Sequence, residues 1–300
     1  MQRPMTLPDP NLLLDPTTRQ KHLRLEERLS AAGRLLVAFS GGVDSTYLLA
    51  VAQEVLGGGA ASAKPPAVLA VTVVTPAHPA AERQRATELA ARLGVAHRTV
   101  DASDLTRDAF TRNAPDRCYH CKRALFGLLG ELAAAEGRQV VEGSNQDDVD
   151  HDYRPGLRAL RELGVGSPLL EVGLTKSEIR LLSRALGLPT ADLPAAACLA
   201  SRIPYGEPIT EEKLRRVDRA EQAVRDLGIR QVRVREHGAV ARLEVAPADF
   251  PILLQPETRG TLTAAVRQAG YQYVALDLEG YRTGALNEVL SGEKYPSKGD

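Results

Sequence analysis

Two short motifs in this 300-residue chain carry residue types that could do chemistry. The first is SGGVDST, residues 40–46, which follows a short apolar run and opens a helical pattern. Backbone N–H groups at a helix N-terminus attract anions, and Gly41 and Gly42 let a phosphate approach the backbone. The side chains that could assist are those of Ser40, Asp44, Ser45 and Thr46. Because no Lys-Ser/Thr pair follows the glycines, we predict a phosphate loop that is not of the Walker A type.

A second polar turn, EGSNQDD at residues 142–148, follows another apolar run. In an open parallel sheet, ligands bind at the carboxyl ends of the strands, where the strand order reverses, so this turn could face the phosphate loop. The residues predicted to form this opposite wall are Gly143, Ser144 and Asn145. Asp44 beside a phosphate suggests either a divalent cation or a helix cap. Asp147 and Asp148 could bind Mg²⁺ or could simply keep the loop soluble.

The second reactive motif is DRCYHCK, in which Cys118 and Cys121 are three residues apart at the predicted start of a helix. Three residues are nearly one turn, so both sulfurs can face one side. The third cysteine is Cys198, and an odd, low cysteine count argues against a disulfide framework. Four interpretations are open: inert buried thiols, a zinc site with His120, a CxxC pair carrying sulfur as a persulfide, or an iron–sulfur cluster with three thiolate ligands.

The elements that must position these residues alternate between strand and helix. Predicted strands cover residues 34–40, 67–75, 97–103 and 139–145, and predicted helices cover residues 44–56, 80–93 and 118–136. This alternation indicates βαβ units and an α/β fold with a doubly wound parallel sheet. Thr175 and Glu178 have the spacing of a capping box, which predicts a further helix to about residue 186.

A different pattern follows a connector that contains three prolines. Thr210 is predicted to cap a helix to about residue 227, and residues 231–245 alternate apolar and polar, which predicts a hairpin with one solvated face. One helix over 248–270 and a strand over 271–279 complete a small α+β domain. The predicted organisation is an N-terminal arm and helix (1–33), a domain that contains the phosphate loop (34–190), a connector carrying Cys198 (191–209) and the C-terminal domain (210–300).

Charge and composition exclude several classes of function. Lys plus Arg and Asp plus Glu both number 38, and a zero formal charge argues against binding of nucleic-acid backbone. With 4% aromatic residues and no Trp, a stacking surface for single strands is not expected. No apolar run reaches the roughly 20 residues of a membrane-spanning helix. The Pro-containing N-terminus has no apolar stretch of signal-peptide length, so we expect a cytoplasmic protein without membrane contact.

The motifs CYHCK, EGSNQDD, TKSEIR and ACLASRIPYGEPIT occur in the order and spacing of one branch of the PP-loop ATP pyrophosphatases. The chain resembles the ATP-dependent sulfur transferases (LarE) that thiolate the pyridine precursor of the nickel-pincer cofactor of lactate racemase. The resemblance runs from about Leu12 to about Ser291 and is most specific in ACLASRIPYG. One departure is Leu193, since the family commonly has a Lys before the residue that corresponds to Pro194.

This resemblance implies that ATP with Mg²⁺ adenylates a carboxylate of pyridinium-3,5-biscarboxylic acid mononucleotide and that pyrophosphate leaves. A sulfur or sulfide donor then gives a thiocarboxylate and AMP. Either the cysteine at position 198 is sacrificed to dehydroalanine, or, as in the three-cysteine form that this chain resembles, Cys118, Cys121 and Cys198 hold a 4Fe-4S cluster whose extra sulfide is transferred. We also expect a homo-oligomer.

The resemblance also assigns residues to the acceptor, although alternation alone would place Arg233 and Arg235 on a salt-bridged, exposed sheet face. The implied phosphate-binding residues are Ser201, Arg202, Arg233 and Arg235. The acidic positions near them, with metal or subunit-interface roles, are Glu221 and Glu244. Two rival functions share the phosphate loop: a tRNA thiolase, which needs a basic RNA surface, and a regulatory ATP-binding module, which needs no cysteines around the loop.

Overall fold

The computed structural model describes residues 15–57, 66–103, 107–150, 155–194 and 197–291. The chain forms two compact units, and each combines two stretches of sequence. The first unit comprises Met1–Arg107 and Cys118–Ala196, and the second comprises Asp108–Arg117 and Ala197–Asp300. Most of the predicted N-terminal arm, the Gly-rich segment after the first predicted helix and two connector residues lie outside the described residues.

The first unit contains a four-stranded sheet and most of the helices. Its strands are β1 (Leu35–Ala38), β2 (Val68–Val74), β3 (Ala96–Asp101) and β4 (Gln139–Val141). Helices α1 (Pro16–Ala32), α2 (Val43–Leu56) and α3 (Ala80–Arg92) precede α4 (Arg107–Arg112), most of which belongs to the second unit. They are followed by α5 (Arg117–Ala135), α6 (Asp147–Asp150), α7 (Pro155–Glu162), α8 (Pro168–Glu171) and α9 (Lys176–Ala185).

The sheet is parallel throughout, with the strand order β3-β2-β1-β4. The chain moves outward from β1 to β3 and then returns to the other side of β1, so the order reverses between β1 and β4. Leu35 and Val37 pack in one apolar core together with α1 and α2, whereas Leu36 packs in a second core with α5. Because helices cover both faces, the predicted α/β fold with a doubly wound parallel sheet is confirmed.

The second unit holds a smaller sheet of three strands in the order β5-β6-β7. Its elements are α10 (Glu211–Arg225), β5 (Val232–His237), β6 (Val240–Val245), α11 (Phe250–Leu254), α12 (Pro256–Gln268), β7 (Tyr273–Leu276) and α13 (Glu288–Ser291). A short 3₁₀ helix, Leu199–Arg202, precedes them. Strands β5 and β6 form the predicted hairpin, with Arg233 opposite Glu244, and β7 adds parallel to β6.

Three expectations about these elements were wrong. The hairpin has no solvated face along β5, because Arg235 on the polar side donates to the carbonyl oxygen of Ser201 at 2.7 Å and the connector segment covers that side. The helix expected over 248–270 is divided at Gln255, since a residue before proline avoids the helical conformation and Pro256 follows. The strand expected over 139–145 ends at Val141.

Helix caps followed the sequence closely. Thr175 and Glu178 form a complete capping box at α9, and the Thr210 side chain accepts from the Lys213 N–H at α10.

Among the helices of the described residues, none is both long and apolar enough to cross a membrane.

Candidate active site

The phosphate loop connects β1 to α2 and has the conformation that its glycines allow. Gly41 has a φ of 71°, and a side chain there would place its Cβ 3.1 Å from the Ala86 Cα atom of α3. Ser40 Oγ lies 3.1 Å from Ser45 Oγ and accepts from the Gly42 N–H at 3.3 Å. These hydroxyl contacts lie within the loop and help to fix its conformation.

The first turn of α2 offers N–H groups to an anion. Gly42 occupies the N-cap position and supplies no side-chain cap. The turn after β4 lies directly against it, since a Cβ on Gly143 would come within 3.0 Å of the Ser45 nitrogen. Gly143 therefore keeps this approach close, and the two walls of the predicted phosphate site are adjacent at the point where the strand order reverses.

Asp44 is the charged centre of this crevice. Its carboxylate forms an ion pair with the Lys176 ammonium and accepts from the Asn145 side-chain amide at 3.4 Å. Burial raises the pKa of the Asp44 carboxyl above its ordinary value; Lys176 opposes this rise and the nearby Asp148 adds to it. A carboxylate that faces a cation in this way is suited to exchange that cation for Mg²⁺.

Helix α9 places Lys176 at the crevice. Its N–H donates to Asp147 Oδ2 at 3.1 Å, and the Glu178 side chain caps the preceding Thr175 and accepts from the Lys21 ammonium at 2.8 Å. The N-terminus of α9 is thus fixed both to the turn after β4 and to α1. Asp148 accepts from the Asn145 N–H at 3.1 Å, so both aspartates also shape the turn.

The cysteines are divided between the units. Cys118 and Cys121 lie on the first turn of α5 in the first unit, exposed and half-buried respectively, and Cys198 lies in the second unit. All three are within the described part of the chain and carry thiols rather than disulfides. His120, the zinc ligand considered above, is exposed and stacks edge-on against Tyr119.

The backbone around Cys198 is held by buried donors. The Arg202 guanidinium donates to the carbonyl oxygens of Ala197 at 2.7 Å and Cys198 at 3.0 Å, and Ser201 Oγ also donates to Cys198 O at 2.9 Å. From the other stretch of the same unit, Arg117 donates to the Ala200 carbonyl oxygen at 3.2 Å. The thiol at position 198 is therefore presented by a rigid turn.

Behind this turn lies a buried network of guanidinium and carboxylate groups. Arg202 binds Glu221 through two N–H groups at 2.6 and 3.0 Å, and Arg235 binds Glu244 at 2.8 and 2.7 Å. Burial alone would raise the pKa of Glu221, but neighbouring guanidiniums, Arg202 foremost, hold it below its ordinary value. Burial and the proximity of Arg202 lower the pKa of Arg233, so the network is crowded with positive charge.

Comparisons with known proteins identify the relatives of this chain. The asparagine synthase family profile matches residues 24–130. An uncharacterized protein of Synechocystis is 44% identical over 259 residues, 86% of this chain and 93% of that protein. Pyridinium-3,5-bisthiocarboxylic acid mononucleotide synthase of Lactiplantibacillus plantarum is 34% identical over 276 residues, 92% of this chain and 96% of that enzyme. An uncharacterized protein of Methanocaldococcus jannaschii is 26% identical over 251 residues, 83% of this chain and 91% of that protein.

The chain belongs to the pyridinium-3,5-bisthiocarboxylic acid mononucleotide synthase family. As a member of this synthase family it is an ATP-dependent, adenylating sulfur transferase of the PP-loop type. The loop at residues 40–46 is the PP-loop expected of such an enzyme, and its position at the carboxyl end of β1 agrees with ATP use. The roles of individual residues in it stay predictions.

A 4Fe-4S cluster on the three thiols stays a prediction from the family resemblance. Thiolates are the ligands of iron–sulfur clusters, and two of them lie on one helical turn. Within the described residues, no group of three or more His, Cys, Asp and Glu side chains is arranged to hold a metal ion.

Sequence reasoning about the synthase overlooked two groups. Lys176 appeared in the capping box and in the TKSEIR motif but was assigned no role, although a Lys at the first position of a capped helix that follows a strand-end turn is a candidate anion ligand. The buried Asn113, with a φ of 51°, donates to the carbonyl oxygens of Pro204 at 2.7 Å and Glu207 at 2.9 Å. These contacts join residues 91 and 94 positions apart and have no sequence signal.

Leu193, which stands where the family commonly has a Lys, takes part in a backbone contact. The Arg180 guanidinium donates to the carbonyl oxygens of Ala191 and Leu193, each at 2.6 Å. Backbone rather than side-chain atoms of Leu193 make this contact, so it does not require the Lys that the family commonly carries there.

Proposed function

We propose that the enzyme adenylates a carboxylate of pyridinium-3,5-biscarboxylic acid mononucleotide and converts it to a thiocarboxylate, with release of pyrophosphate and AMP. The observation that carries this proposal is the 34% identity, over 92% of this chain, to pyridinium-3,5-bisthiocarboxylic acid mononucleotide synthase. The guanidiniums of Arg202, Arg233 and Arg235 add positive charge beside the Cys198 turn, which suits a ligand with a phosphate and two carboxylates, although Arg202 and Arg235 are also bound to Glu221 and Glu244.

In the first half-reaction, a carboxylate oxygen of the substrate attacks the α-phosphorus of ATP. The bond between this phosphorus and the bridging oxygen to the β-phosphate breaks, and pyrophosphate leaves. The N–H groups of the first turn of α2 and the ammonium of Lys176 are placed to bind the pyrophosphate oxygens. Asp44, with Asp148 beside it, would hold Mg²⁺, which supplies charge neutralisation to the phosphates.

In the second half-reaction, a sulfur nucleophile attacks the acyl carbon and AMP leaves with the electron pair of the C–O bond. The turn that presents Cys198 is fixed by Arg202, Ser201 and Arg117, which suits a thiol that must meet a bound acyl group. Arg117 directly precedes Cys118 in the chain. Glu221 binds the Arg202 guanidinium, and Glu244 binds the Arg235 guanidinium. A metal ion on either carboxylate would have to displace the guanidinium bound there.

Two sulfur sources are compatible with the three thiols. Cys118, Cys121 and Cys198 would hold an iron–sulfur cluster, which supplies a transferable sulfide when bound. Alternatively, Cys198 gives up its own sulfur and becomes dehydroalanine. We favour the first route, because a sacrificial route requires only Cys198 and leaves the other two thiols without a role.

Intact-protein mass spectrometry after turnover separates the two routes. Protein reconstituted anaerobically with iron and sulfide should turn over more than once when sulfide is resupplied, with all three cysteine masses unchanged. Its Cys118→Ala and Cys121→Ala variants should lose iron and activity together. Loss of the elements of H₂S from Cys198 after one turnover, with both variants fully active, would establish the sacrificial route instead.

A further inference from the structure

Lys122 is a charged residue of the first unit to which the proposed function assigns no role. It follows Cys121 on α5, and its Nζ atom lies 3.9 Å from the Glu142 Oε2 atom. Glu142 is the first residue after β4, and the next residue, Gly143, lies against the Ser45 nitrogen of the phosphate loop. The Lys122 ammonium therefore lies at the strand edge where the phosphates are proposed to bind.

Glu142 does not depend on this lysine for hydrogen bonds. Its carboxylate accepts from the Ser144 N–H at 3.1 Å, from Ser144 Oγ at 2.8 Å and from Ser167 Oγ at 2.6 Å. A separation of 3.9 Å is too long for a hydrogen bond, so Glu142 attracts the ammonium without using its donors. Within the described residues the Lys122 ammonium donates no hydrogen bond, and its side chain is 35% exposed. A lysine ammonium has three N–H donors, so it can receive an anion.

The aliphatic part of Lys122 is held in place. A Cβ on Gly156 of α7 would lie 2.9 Å from Lys122 Cδ, so the glycine leaves the room that the lysine side chain occupies. The ammonium also lies 5.9 Å from the centre of the Phe126 ring one turn later. This packing directs the charge toward the end of β4 rather than into solvent.

We propose that Lys122 is a catalytic residue of the sulfur-transfer half-reaction, in which its ammonium binds the phosphate of the departing AMP. This proposal rests on the proposed function. The helix that carries Lys122 also carries Cys118 and Cys121, so the cation lies on the element that bears the thiols and beside the loop that binds the nucleotide.

The step balances without a proton transfer from Lys122. A sulfur anion forms a bond to the acyl carbon, the bond from that carbon to the AMP phosphate oxygen breaks, and its electron pair stays on that oxygen. AMP thus gains one negative charge as it leaves. A fixed ammonium is attracted more strongly to this phosphate in the transition state than in the acyl adenylate, which lowers the barrier.

Single-turnover kinetics test this role. The acyl adenylate is formed on the reconstituted protein from α-labelled ATP and the pyridinium mononucleotide, sulfide is added, and AMP release is followed. Lys122→Met keeps the aliphatic packing and should slow AMP release about 100-fold, the scale of removing one oxyanion donor, while ATP/pyrophosphate exchange stays within about threefold of wild type. Lys122→Arg should recover much of the rate. Arg123→Met, which removes an exposed charge from the same turn, should match wild type.

Three results would overturn the proposal. These are an unchanged rate of AMP release in Lys122→Met, an equal loss of pyrophosphate exchange, or a changed pH dependence of Cys121 alkylation, which would place the role of Lys122 on the thiol. Absence of substrate-dependent exchange in the wild-type protein would instead contradict the proposed function, so the two failures are distinct.

Discussion

At the scale of single residues, the pairing of Asp44 with Lys176 is the feature that we propose connects the fold to adenylation. A carboxylate within an anion site is useful only with a cation nearby, and the structure places one there. Burial raises the pKa of the Asp44 carboxyl above its ordinary value, and Lys176 opposes this rise. A desolvated carboxyl beside a specific charged partner in a cleft is typical of functional sites.

Replacement of either partner should abolish adenylation without unfolding the protein. Lys176→Met and Asp44→Asn are expected to lower ATP/pyrophosphate exchange by about 100-fold or more, as expected when a charged group that binds the leaving phosphates is lost. Arg184→Met, which removes an exposed charge from the same helix, is the matched control. Asp44→Asn should nearly keep the melting temperature, since asparagine has the same size and shape as aspartate. Exchange at the wild-type rate in both variants would show that this crevice does not bind pyrophosphate.

Arg233 gives a separate test of the acceptor site. Arg233→Met should raise the KM for the pyridinium mononucleotide about tenfold to hundredfold, the range for one lost hydrogen-bonded charge, and leave the KM for ATP unchanged. Arg235 is less suitable for this test, because its removal would deprive the buried Glu244 of its two shortest contacts. Arg215→Met, at an exposed position of α10, controls for loss of charge. An unchanged KM for the mononucleotide would contradict the assignment.

At the scale of elements, much of the fold could be predicted because it depends on local signals. The apolar runs, the Gly-Gly turn and the capping box at Thr175 each specify structure within a few residues. The burial of Arg233 and Arg235 could not be predicted, since alternation is the same whether water or a distant connector covers the polar face. Lys176 reaches Asp44 across 132 positions, and only the fold brings them together.

Glu221 is a buried side chain that connects several elements, since it lies on α10 and contacts both β5 and the Cys198 turn. It accepts from Arg202, from Arg225 at 2.5 Å and from the Val234 N–H at 3.1 Å. Glu221→Gln should therefore destabilise the second unit at neutral pH by roughly 3 kcal/mol, as expected when one partner leaves a buried ion pair. Glu212→Gln, at an exposed position of α10, should be silent.

The destabilisation caused by Glu221→Gln should become smaller as the pH falls. The folded-state pKa of Glu221 is lowered, so its stabilisation is complete above the ordinary glutamate value of about 4.3 and is lost as the pH falls through the folded-state pKa. Denaturant unfolding of the wild-type and Glu221→Gln proteins across this pH range should show a difference in the free energy of unfolding that becomes smaller in acid. Equal stability at neutral pH would mean that the network does not hold the unit together.

At the scale of the whole molecule, charge balance distinguishes the proposed substrate from RNA. The formal charge is zero, and the buried guanidiniums of the second unit are paired with carboxylates rather than arranged as a surface patch. Binding of tRNA at about 150 mM salt should therefore be weak. Filter binding with a salt titration measures this; tight binding with a steep salt slope would favour a tRNA thiolase.

The central claim is that the loop at residues 40–46 uses ATP to adenylate a pyridinium carboxylate. Exchange of radiolabelled pyrophosphate into ATP tests it most directly, because exchange requires reversible formation of the adenylate. We expect exchange that depends on pyridinium-3,5-biscarboxylic acid mononucleotide, needs no sulfide and is lost in Asp44→Asn and Lys176→Met. No exchange with this substrate, or equal exchange without it, would contradict the account.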